Sequence, residues 1–183
     1  WHNSFRVVPR LATSWTSNAD ATQWTFKLRE GVKFHDGSDF DAADVVYTFN
    51  RLLDEKVGSP GLKQLAVLKT ARIEAIDAHT VRFTTDKPVA QLPLSIKNRF
   101  TLIVPEGATT EGMESNAIGT GPFTIKDFDK SAPFNTLTRN PNYWAPGLPK
   151  AECIKVISVL DPIARAAALI TKEADMAPSI DAR

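Results

Sequence analysis

The clearest hydrophobic pattern in the chain starts at Trp24. Trp24, Phe26 and Leu28 alternate with Thr25, Lys27 and Arg29, the period of a strand with one buried and one wet face. Gly31 interrupts the run, Val32 and Phe34 resume it, and Asp36-Gly37 marks a tight turn where glycine takes positive φ at little cost. The period then changes. Val45, Val46, Phe49, Leu52 and Leu53 fall on one helical face. Asp41 precedes them as an N-cap whose carboxylate accepts first-turn amide hydrogens, worth about 1 kcal/mol. Strand, turn and capped helix over 41–53 are predicted.

The remaining elements follow from the same logic. Residues 7–15 read as an irregular apolar opening and 16–22 as a polar loop. A Gly- and Pro-containing loop at 54–62 leads into a short helical turn at 62–68. Runs at 71–77 and 79–85 flank Asp77-Ala78 as a hairpin, with Ile73 and Ala75 facing Val81 and Phe83. Residues 92–96 predict a short helix. Phe100, Leu102 and Val104 alternate as a strand, and 106–117 read as a surface loop. Strands are predicted at 123–125 and 136–139. After the Pro-marked stretch 140–149, the near-continuous apolar run 154–160 predicts a strand covered on both faces. Asp161-Pro162 starts a helix with Ile163, Ala166, Ala167 and Ile170 on one face, and 174–177 begins a further strand, a βαβ unit.

Composition narrows the class. The chain has 183 residues, 43% of them hydrophobic and 23% charged, enough for a globular domain with its own core. A net charge of +1 with interspersed signs offers no footprint for nucleic acid. No apolar run reaches the roughly 20 residues that span a bilayer, so direct membrane insertion is not expected. The chain begins at Trp1 with no signal-like segment, so any export signal is expected to have been removed or to lie upstream. Cys153 is the single cysteine and sits in the apolar run CIKVISVL, where a buried, inert thiol is expected.

Residues 24–49 resemble the signature region of the bacterial extracellular solute-binding proteins of family 5, the dipeptide, oligopeptide and nickel-binding components of ABC importers. Family positions are matched by Trp24, Gly31, Phe34, His35, Asp36, Gly37 and Asp44, and beyond the signature by Gly119, Thr120, Gly121, Pro122, Tyr143 and Trp144. Pro9, Leu11, Ala12, Ser14 and Trp15 match the opening element. The resemblance implies an α/β (mixed α+β) fold, part of the first lobe of a two-lobe type II periplasmic-binding-protein architecture. It implies a smaller subdomain over 1–140 and the start of a larger α/β part over 141–183, with the second lobe absent from this chain. It further implies capture of a peptide or other small solute and delivery to ABC transporter permease subunits. The expected setting is periplasmic, or extracellular and anchored through a segment not in this chain, as a monomer without cofactor. A ligand-sensing module of a regulator and a binder of nickel chelate are the alternatives the resemblance leaves open. By position in the family, Leu62, Arg99 and Phe100 are candidate ligand-wall residues; for Arg99 a solvated strand-end charge is the competing reading.

No catalytic constellation emerges. His35 beside Asp36 could serve as base or metal ligand, yet neighbours on an extended strand point to opposite faces and no third ligand stands at metal spacing. A turn held by the aspartate is the favoured reading. Serines lack nucleophile contexts. Asp39, Asp41 and Asp44 crowd a helix start, where the dipole favours negative charge. Ile118 to Phe123 contains two glycines around Thr120, but without a following helix a phosphate cradle is not supported. Trp15 and Trp24 read as core rather than ligand-stacking residues.

Overall fold

The computed structural model describes residues 7–125, 128–129 and 131–177. Two antiparallel sheets organise it. The first contains β1 (Ala12–Ser17), β2 (Gln23–Leu28), β3 (Arg72–Asp77) and β4 (Thr80–Thr84) in the order β1-β2-β4-β3. The second contains β5 (Phe123–Ile125), β6 (Phe134–Arg139) and β7 (Cys153–Ile157) in the order β5-β6-β7. Four helices accompany them: α1 (Ala42–Leu53), α2 (Leu92–Ser95), α3 (Thr110–Ser115) and α4 (Pro162–Ile170).

The core is built where the alternation is strictest. Trp24, Phe26 and Leu28 of β2 and Val81 and Phe83 of β4 lie on one face of the first sheet, and α1 covers it with Val45, Phe49 and Leu52. Phe83 stands between Phe26 and Phe49, edge-on to both at 5.4 and 5.1 Å, a geometry favoured by the ring quadrupoles. Trp24 is buried and its indole N–H donates to the Val89 carbonyl at 3.0 Å. Helix α1 starts in a full capping box: Asp41 accepts from the Ala43 amide, and Asp44 accepts from the Asp41 amide. Two orphan donors of the first turn are satisfied reciprocally.

Four sequence expectations are corrected. The opening stretch is irregular only to Leu11: from Ala12, β1 pairs with β2, Trp15 opposite Phe26, and a register shift between Ala12 and Ser14 disrupts the two-residue period by which a strand is recognised. Residues 100–104 do not form a strand. Both main-chain polar groups of Val104 are instead held by one side chain of α1, with Thr48 Oγ1 donating to the carbonyl at 3.2 Å and accepting from the amide at 3.1 Å. Residues 110–115 are helical rather than loop, capped by Thr109 accepting from the Gly112 amide. Finally, the run at 154–160 is strand only to Ile157 and is not covered on both faces: all five residues of β7 are exposed, Cys153 included.

The last correction extends to α4. Asp161 caps it and Pro162 occupies its first turn, as the sequence predicts, but Ile163 and Ile170 on its apolar face are 79% and 82% exposed. Among the described residues no strand follows α4, since 174–177 are not extended in a ladder. β7 runs antiparallel to β6 and closes a β5-β6-β7 meander, and the second strand of the expected βαβ unit is not formed among the described residues. The expected division near residue 140 falls between β6 and β7, which are hydrogen-bonded neighbours.

Candidate functional site

Two segments expected at a ligand wall, one carrying Leu62 and the other Arg99 and Phe100, meet at a glycine. Gly61 is buried, and a Cβ placed on it would stand 2.8 Å from the Phe100 Cβ, so the glycine leaves room for the Phe100 side chain against the 58–62 loop. Leu62 follows on this loop, half-buried. Arg99 is exposed, and its guanidinium lies over the neighbouring Phe100 ring at 4.8 Å, a cation–π contact that directs the charge without burying it. The segment is fixed from behind: Asn98 accepts from the Phe100 amide at 2.8 Å, and the Thr101 hydroxyl donates to the Ile96 carbonyl at 2.6 Å. The Arg99 charge is thus exposed and held over the Phe100 ring.

The signature residues divide between turn chemistry and packing. Phe34 is buried edge-on to Phe40 at 6.1 Å. Gly31 and Gly37 take φ of 70° and 90°, in the left-handed region open to glycine. Asp36 accepts from both the amide and the hydroxyl of Ser38, which holds its carboxyl below the usual carboxylate range. Asp44 is the opposite case. Burial pushes its carboxyl up, and this outweighs the two amides, of Asp41 and Glu106, that it accepts at 2.8 Å each.

The structure adds a set of contacts that spacing did not disclose. His35 turns away from Asp36 and toward Gly119 and Gly121: its backbone amide donates to the Gly119 carbonyl at 2.9 Å, the Gly119 amide reaches Nδ1 at 3.3 Å, and Nε2 lies 3.0 Å from the Gly121 carbonyl. Thr120 between them is half-buried. Asn140, itself buried, donates to the Gly121 carbonyl from Nδ2 and to the Pro122 carbonyl from its amide. Tyr143 and Trp144 stack obliquely at 5.1 Å, and Arg29 lies over Trp144 at 4.5 Å. The only hint in the sequence was that His35 and the Gly-Thr-Gly-Pro turn belong to the same family pattern.

A concavity lies elsewhere on the chain. An open groove of about 640 Å³ runs between α1 and the 106–110 segment, lined by Val46, Tyr47, Arg51 and Thr110 among others. Two of its polar groups are engaged within the chain, Tyr47 with the Ala108 carbonyl and Arg51 with the Thr110 hydroxyl. Among the described residues, no three His, Cys, Asp or Glu side chains are placed to share a metal ion, and no helix is long and apolar enough to cross a membrane.

Comparison with known proteins agrees with this architecture. The pattern of the bacterial extracellular solute-binding proteins, family 5 Middle, matches residues 6–183. The glutathione-binding protein GsiB of Escherichia coli is 36% identical over 171 residues, covering 91% of this chain and 33% of that protein. The di/tripeptide-binding protein 2 of Pseudomonas aeruginosa is 34% identical over 197 residues, covering 95% of this chain and 37% of its own length. In the structure of the binding protein MoaA of A. tumefaciens with mannopinic acid, a region 33% identical superposes with a TM-score of 0.78 over 91% of this chain and 34% of that one. The chain thus spans about a third of the length of the curated relatives it matches.

Proposed function

This chain belongs to the bacterial extracellular solute-binding proteins of family 5, and we propose that it contributes one wall of a cleft that captures a peptide or related small solute for an ABC importer. Its fold is mixed α/β and is that of part of a type II periplasmic binding protein. The single observation carrying the ligand class is the 36% identity, across nine-tenths of the chain, to a protein named for binding glutathione, itself a small peptide. Relatives of this family bind substrates for transport rather than transform them, and the protein is read as a binder without catalysis. Within the wall, Leu62 and Phe100 supply apolar surface and Arg99 a positive charge suited to a carboxylate. Such a wall is one of two: ligands of this size reach useful affinity only when most of their surface is buried, and closure of two lobes provides that burial while shifting the population to the closed form. Delivery to permease subunits, a setting outside the cytosol and monomeric action complete the proposal.

The test is titration calorimetry. The protein encoded by the complete reading frame is expected to bind members of a dipeptide and tripeptide pool, with Arg99→Ala weakening carboxylate-bearing ligands. The 183-residue chain by itself is expected to bind the same pool weakly or not at all. Submicromolar binding by the short chain would refute the one-wall reading, and a complete protein indifferent to every peptide would refute the ligand class.

A further inference from the structure

The contacts around His35 have a directionality that fixes the state of the ring. The Gly119 amide is only a donor, so Nδ1 facing it presents a lone pair; the Gly121 carbonyl is only an acceptor, so Nε2 facing it carries the hydrogen. We infer that His35 is a tautomer-locked latch that holds the Gly119–Pro122 turn to the arch formed by residues 32–40 between β2 and α1, and through it positions the second sheet. The Gly121 carbonyl is the shared node, receiving Nε2–H of His35 from one side and Nδ2–H of Asn140, the residue after β6, from the other. Pro122 leads directly into β5, and its carbonyl takes the Asn140 amide at 2.9 Å. A single imidazole therefore ties the arch to both the entry of β5 and the exit of β6. On either side of this node in sequence, Ile118 and Trp144 pack against the hydrophobic core.

The latch makes the two ring nitrogens separately testable, because asparagine places an amide oxygen near the Nδ1 position and glutamine an amide nitrogen near Nε2. Amide hydrogen exchange is read at Gly119, with the amides of β2 and β4 as the folding control. His35→Phe and His35→Gln, which place no acceptor at the Nδ1 position, are expected to speed Gly119 exchange about tenfold, the scale of one lost hydrogen bond, with β2 and β4 unchanged. His35→Asn, which keeps the acceptor, is expected to stay near the wild-type rate. Nitrogen-15 histidine spectra of the wild-type chain are expected to show His35 as the Nε2–H tautomer. The inference is overturned by an Nδ1–H or freely exchanging ring, or by a Gly119 rate that His35→Phe and His35→Gln leave untouched. Should His35→Phe unfold the chain, the Asn and Gln pair together with the wild-type spectrum still decide. None of these readouts involves a ligand, so their failure is separable from failure of the solute-binding reading.

Discussion

Replacing Thr48 by valine isolates the device that stands where a strand was expected. Thr48 is 2% exposed, and its hydroxyl both donates to and accepts from the main chain of Val104. Valine keeps the volume and the β-branched shape, so helix propensity barely changes. It removes both hydrogen bonds at once. Each half-buried group left without a partner costs about 1–2 kcal/mol, in the lower part of the range for buried groups because Val104 retains some access to water; the sum is roughly 2–4 kcal/mol. Serine is the control: it keeps the hydroxyl and loses one methyl, about 1 kcal/mol. Equilibrium urea unfolding followed by tryptophan fluorescence should rank wild type above Thr48→Ser and Thr48→Val last, and the Val104 amide should lose exchange protection only in the valine variant. A Thr48→Val protein as stable as Thr48→Ser would show that water replaces the hydroxyl at no cost, and the account of residues 100–104 would fall.

Four further outcomes are expected. Asp44→Ala should cost about 1–3 kcal/mol by orphaning the Asp41 and Glu106 amides. Because burial raises the Asp44 carboxyl, its contribution is complete below the ordinary carboxylate range and is lost as pH rises through the folded value; urea midpoints across that range should show the gap to wild type narrowing upward, and widening would refute the burial argument. Asp36, held low by Ser38, runs the other way, its contribution lost as pH falls. Gly61→Ala should destabilise by about 1–3 kcal/mol, since the new methyl meets the Phe100 Cβ rather than a yielding side-chain tip; an unchanged unfolding midpoint would mean the two segments part freely. Cys153, exposed on β7, should react with a thiol reagent in the native chain nearly as fast as in urea, whereas protection until unfolding would restore the buried thiol the sequence suggested.

What the sequence determined by itself is local. Residues 24–53 contain their own instructions: a two-residue period, a turn needing positive φ at Gly37, a capping box at Asp41 and Asp44, then a helical period, all of which involve neighbours a few positions apart. The hairpin at 72–84 and the Asp161-Pro162 helix start are legible for the same reason, and the motif order sufficed to identify the family. Tertiary structure decided what depends on distant partners. Thr48 reaches a backbone 56 residues away, and His35 reaches glycines 84 and 86 residues away; no local period records such pairings. β7 shows the converse limit. Its apolar run predicts burial, but burial is a property of whatever packs against a strand, and only the arrangement in space could leave Ile154, Val156 and Cys153 in the open.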